Sequence, residues 1–173
     1  EQGYPVTPDS KFHIASMTKS LTAMAIIKLR DEGKLSLHDP IAHYIPELEE
    51  LEYLTKDAAA ISIFHLLTMS SGFPEDNPWA DRHLEDTEKE FSELMKSGFS
   101  FSGVPGEKYE YSNLGFAILG RIISNVTGQP YQKYITEAIL HPLHMKDTYW
   151  EYEEIPEGEL ALGYRWQFDN WQK

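Results

Sequence analysis

Residues 16–19 read Ser-Met-Thr-Lys and head the most apolar helix candidate in the chain, 16–32. In a helix, side chains three apart share a face, so the Ser16 hydroxyl and the Lys19 amine fall within hydrogen-bonding reach. A serine beside an amine pairs a potential nucleophile with a potential base. Beyond them Leu21, Ala23, Met24, Ala25, Ile26, Ile27 and Leu29 are apolar on nearly every face, which predicts burial on most sides. Lys19 is then expected to be poorly solvated; burial disfavours the ammonium, and only a neutral amine can take the serine proton. The competing reading is a chance Ser-x-x-Lys with Lys19 as a surface residue.

A second stretch, Tyr111-Ser112-Asn113, follows the turn Pro105-Gly106 and the alternating run 108–111 and precedes another apolar helix candidate, 114–126. Tyr111 offers a phenolic oxygen, normally titrating near about 10, that acts as a base only if cationic neighbours draw it down. Lys19 is the natural neighbour for that role. Asn113 has the donors and the acceptor to hold a substrate amide while bonding Lys19, and it also suits the N-cap of the helix that follows.

Ser-x-x-Lys followed by Pro-Gly-Glu-x-x-x-Tyr-Ser-Asn resembles the serine β-lactamase and penicillin-binding-protein superfamily, in particular its class C β-lactamase, DD-peptidase and esterase branch. Glu32-Gly33-Lys34-Leu35 with Asp39-Pro40, His65 through Gly72 (His-Leu-Leu-Thr-Met-Ser-Ser-Gly) and Leu160-Ala161-Leu162-Gly163-Tyr164 agree with that branch. The resemblance implies a hydrolase working through an acyl-enzyme: Ser16 the nucleophile, Lys19 and Tyr111 moving the proton, Asn113 binding substrate. The substrate it implies is a β-lactam, a peptidoglycan-type peptide or an ester, with no cofactor and an extracytoplasmic site of action. Ser112 matches a position commonly serine or alanine, and no catalytic role is expected of it. The superfamily's third motif, Lys-Thr-Gly or a variant, is matched in letters by Lys96-Ser97-Gly98, but that triplet precedes Tyr111 whereas the family places the motif last. It reads instead as a helix end, with lysine in the last turn and glycine just beyond.

The superfamily fold joins a helical region to an antiparallel sheet flanked by helices, with strands before the serine motif and after the 161–164 stretch. The expected fold class is therefore mainly α: the helical region of an α+β fold, as one unit over 1–173, with most of the sheet and the second oxyanion donor outside the chain. Alone it is expected to hydrolyse little, and its apolar helix faces to drive self-association or to be covered by a complementing piece. The alternative function is a non-catalytic acidic helical module that retains the motifs and binds a partner.

Composition narrows the rest. The 173-residue, 19.9 kDa chain is 41% hydrophobic, enough for a real core. Its net charge of −13 comes from acidic stretches at 47–52, 85–93 and 151–159 and argues against nucleic-acid binding. The longest apolar run, 23–27, is far short of the ~20 residues of a membrane span. With no cysteine and no paired histidine spacing, neither a disulfide framework nor a metal site is indicated.

Local signals predict a loop over 1–12, a helix end at Gly33, and Asp39 capping a short helix that Pro46 closes. Ser62 is expected to cap a helix over 63–69, followed by a loop over 73–80 and an acidic helix over 81–97 with Leu84, Phe91, Leu94 and Met95 inward. Strand and turn are expected over 100–111, then helices over 114–127, ended by Gly128, and 131–140, with Pro142 beyond.

Overall fold

The computed structural model describes residues 5–76, 83 and 86–172. Helix α1, Thr18–Asp31, follows a 3-10 turn at Ala15–Met17 and ends with Gly33 in the left-handed conformation at φ 69°. Leu21, Ala25, Ile26 and Leu29 lie at the i, i+4, i+5 and i+8 positions that put one stripe into the core. Met24 stays exposed and Ala23 and Ile27 half-buried, so α1 is covered on one side and not all round.

Two 3-10 turns follow, Ile41–His43 and Pro46–Leu48. Here two expectations are corrected. Asp39 does not cap the first turn: its carboxylate accepts from the Ser36 N–H and, at 2.5 Å, from the Tyr44 hydroxyl. Pro46 opens the second turn rather than closing the first, as suits a residue with preset φ and no N–H to satisfy. Helix α2, Ile63–Leu67, is capped by Ser62 in a capping box whose return arm is His65 Nδ1, accepting from the Ser62 N–H.

Helix α3, Glu88–Lys96, begins later than 81. Thr87 caps it and Glu90 closes a capping box, the Ser/Thr-x-x-Glu signature. Residues 77–82, 84 and 85, including Leu84, lie outside the described residues. Met95 is buried, with Phe91 and Leu94 partly so. Lys96 is its last residue, Ser97 its C-cap and Gly98 left-handed at φ 79°, so Lys96-Ser97-Gly98 is a helix terminus.

Residues 100–111 form no strand. They are an irregular, turn-rich segment tied by main-chain bonds to 69–76: Ser102 N–H to Gly72 O, Gly106 N–H to Ser70 O and Glu110 N–H to Met69 O. The chain folds back closely enough that a Cβ on Gly72 would collide with the Gly103 carbonyl, and Gly72 stands at φ 82°. Two independent demands thus require glycine there.

Helix α4, Asn113–Thr127, is the central element, burying Leu114, Ile118, Leu119, Ile122 and Ile123, and it ends at left-handed Gly128. At ~1.5–3 kcal/mol per fully buried aliphatic side chain, this stripe is a principal source of stability. Helix α5, Tyr131–Ile135, continues into a π-helical turn, Thr136–Leu140. Helices α1, α2 and α5 all pack on α4. A two-stranded antiparallel ribbon closes the chain, β1, Arg165–Gln167, and β2, Asn170–Gln172, with Trp166 opposite Trp171. The described residues form a mainly helical unit with one small sheet. No helix among the described residues is long and apolar enough to cross a membrane.

Candidate active site

The 3-10 turn and α4 are brought face to face by the docking of α1 on α4, and the four residues singled out in the sequence meet there. Ser16 Oγ lies 2.7 Å from the Tyr111 hydroxyl. Lys19 Nζ donates to Ser16 Oγ at 3.1 Å and to Asn113 Oδ1 at 2.6 Å. The Tyr111 hydroxyl also reaches Asn113 Oδ1 at 3.3 Å, and Lys19 Nζ sits 4.9 Å from the Tyr111 ring centre. Phe116, one helical turn after Asn113, presents its ring to the same ammonium at 5.7 Å.

Ser16 belongs to the 3-10 turn, not to α1 itself, correcting the 16–32 helix. The cause is Ala15, at φ 42°, a conformation costing a non-glycine residue about 1–2 kcal/mol. This bend leaves Ser16 exposed, with its backbone N–H in a first turn, where helical donors have no acceptor within the helix. The approach to the turn is anchored by Lys11. Its N–H bonds Glu159 O, its carbonyl accepts from the Ala161 N–H, and its ammonium lies 3.2 Å from Asp147 and 3.1 Å from Glu159.

Two opposed influences act on Tyr111. Burial pushes its phenol up; the Lys19 ammonium and the bond from Ser16 outweigh that and hold it below its ordinary value, against a smaller upward push from Asp76. Lowering favours the phenolate, the form that accepts a proton from a hydroxyl bonded to it.

Asp76 and Ser112 are the parts the sequence reading missed. Ser112, not Asn113, is the N-cap of α4: its Oγ accepts from the Gly115 N–H at 3.0 Å and donates to Asp76 at 2.9 Å. Asn113 is the first helical residue. Nothing near 112 in the sequence points to Asp76, because the contact spans 36 residues. Lys96-Ser97-Gly98, at the end of α3, contributes no bond to the Ser16 cluster. Among the described residues no group of three or more His, Cys, Asp or Glu could hold a metal ion.

The chain belongs to the Beta-lactamase family, which matches residues 1–172. It is 36% identical over 163 residues to Protein flp of Staphylococcus aureus (strain COL), covering 93% of this chain and 32% of that protein. It is 32% identical over 144 residues to the D-alanyl-D-alanine-carboxypeptidase/endopeptidase AmpH of Escherichia coli (strain K12), covering 81% of this chain and 37% of that one. Among solved structures, the octameric penicillin-binding protein homologue from Pyrococcus abyssi superposes with a TM-score of 0.80 at 32% identity, over 97% of this chain and 40% of that one. The chain therefore spans about a third of the length of the curated relatives it matches. Its helices correspond to part of the β-lactamase fold.

Proposed function

We propose that this chain carries the nucleophile and proton-transfer groups of a serine hydrolase acting on amide or ester carbonyls through an acyl-enzyme, of the class C β-lactamase, DD-peptidase or esterase type. The observation that carries the proposal is the closed set of bonds joining Ser16, Lys19, Tyr111 and Asn113 where the start of α1 meets the start of α4. Ser16 Oγ attacks the carbonyl as its proton passes to the Tyr111 oxygen, the group already bonded to it and drawn down by Lys19. The Ser16 N–H supports the oxyanion, Asn113 holds the substrate amide, and collapse breaks the bond to the leaving group, which takes the proton back from Tyr111. Water then releases the acyl group by the same route in reverse. The domain reading goes with this: residues 1–173 form the helical part of a larger β-lactamase-like unit, with turnover needing the sheet's second oxyanion donor. Without that cover, Met24 and Ile27 on α1 provide the face for self-association or for a complementing piece.

Intact-mass analysis after incubation with penicillin and, separately, an activated ester tests the proposal. A single acyl adduct absent from Ser16→Ala is expected, and equal adduct in that variant removes Ser16 from the mechanism. Lys19→Ala and Tyr111→Phe are each expected to slow acylation by about 10²–10⁴-fold, the usual worth of positioned proton transfer, with Lys96→Ala as the unaffected control.

A further inference from the structure

The loop residue Asp76 touches none of the reacting atoms, yet it grips the chain at the step from Tyr111 into α4. Its Oδ1 accepts from the Asn113 N–H at 2.6 Å, and its Oδ2 accepts from the Leu114 N–H and the Ser112 hydroxyl, both at 2.9 Å. Its own N–H donates to the Tyr111 carbonyl at 3.3 Å, and its carbonyl accepts from Asn113 Nδ2 at 3.5 Å. An amide has a donor end and an acceptor end. With Nδ2 turned to the Asp76 carbonyl, Oδ1 must face the other way, where it meets Lys19 Nζ and the Tyr111 hydroxyl.

We infer that Asp76 is a positioning residue of this site: its carboxylate, bonded to the Asn113 and Leu114 N–H groups and the Ser112 hydroxyl, seats the head of α4 so that Asn113 Oδ1 faces Lys19, and it places its charge near Tyr111. The inference rests on the acyl-transfer reading for its kinetic consequence but not for its electrostatic one. The groups acting on Tyr111 come from three elements: Ser16 from the 3-10 turn, Lys19 from α1 and Asp76 from its loop. Asp76 is the one whose charge opposes ionisation of the phenol. The same carboxylate also stabilises the start of α4, so stability is followed alongside the Tyr111 titration.

Asp76→Asn separates the two roles, because it keeps the size while removing the charge and one of the two acceptor oxygens. Tyrosines labelled with carbon-13 at Cζ report the Tyr111 titration by NMR, with the resonance assigned through Tyr111→Phe. The Tyr111 midpoint is expected to fall in Asp76→Asn, since a negative charge has been withdrawn. The second-order rate of acylation by an activated ester is expected to fall about 10–100-fold, and its acidic limb to move down with the Tyr111 midpoint. A folded Asp76→Asn protein with an unmoved midpoint and a rate within twofold of the parent overturns the inference. Asp76→Glu retains the charge on a longer arm, so it decides the matter if the asparagine variant does not fold: acylation reduced tenfold or more supports the inference, and a parental rate overturns it. A moved Tyr111 midpoint in a protein that forms no acyl adduct refutes the hydrolase reading while upholding the charge assigned to Asp76.

Discussion

Ser112→Ala isolates the cap of the central helix. The side chain is almost fully buried, 2% exposed, and its one hydroxyl makes two bonds, accepting from the Gly115 N–H and donating to the Asp76 carboxylate. Loss of a serine N-cap costs about 0.5–2 kcal/mol, and loss of a hydrogen bond to a charged acceptor about 1.5–3 kcal/mol. Because both losses fall on one group they do not add fully, and a destabilisation of about 2–4 kcal/mol is expected. For a chain of this size each kcal/mol moves the midpoint by roughly 2–4 °C, so melting followed by circular dichroism at 222 nm should show a fall of about 4–16 °C. Urea unfolding checks that the slope is unchanged and that the loss belongs to the folded state. A loss below about 0.5 kcal/mol, typical of an exposed surface position, would refute the assignment of Ser112 as the cap and would return that role to Asn113.

Gly72→Ala should be among the most damaging single-methyl additions in the chain, at about 3 kcal/mol or more, since the new Cβ meets the Gly103 carbonyl and the backbone is left-handed; calorimetry with Gly33→Ala, where no atom lies within 4 Å of the new Cβ, separates the clash from the φ penalty. His65 predicts a pH dependence. Burial, and then the neighbouring His38, hold its imidazole below the ordinary 6.5, so the fold favours the neutral ring that accepts from Ser62. The unfolded chain binds more protons between the two values, so this contribution to stability is complete above about pH 6.5 and declines as the pH falls through that value toward the lower folded one. Urea midpoints from pH 5 to 8 should show a smaller acid-side decline in His65→Gln, which preserves the capping box without titrating; identical profiles would exclude His65.

Helix ends are readable in this chain where the signal is local. Gly33, Gly98 and Gly128 each stand at the left-handed position just past a helix, and Ser62 caps α2 as its place before an apolar run suggests. The contact of Ser16 with Lys19 is readable for the same reason, since a separation of three residues in a helical turn brings them together. The cap of α4 is not. Ser112 and Asn113 are both good cap residues, and the choice is made by Asp76, whose bonds to that end span 36 to 38 residues. Residues 108–111 alternate as a strand does, yet their partners are single bonds to the 69–76 loop, and no ladder forms. Serine is lifted out of the expected α-helix by the conformation of Ala15, and alanine is a residue whose identity gives no warning of a positive φ.

Ser16 and Tyr111 are 95 residues apart, and Lys19 and Asn113 are 94 apart, yet the four groups touch. During synthesis Ser16 emerges 95 residues before Tyr111 and lacks that partner through the interval. Tyr111, Asn113 and helix α4 have not yet emerged, and closing so long a loop awaits the docking of α1 on α4. The Ser16–Tyr111 contact therefore exists only once the helical layer is complete. Any acyl transfer at that contact, as proposed above, is thereby tied to the folded state.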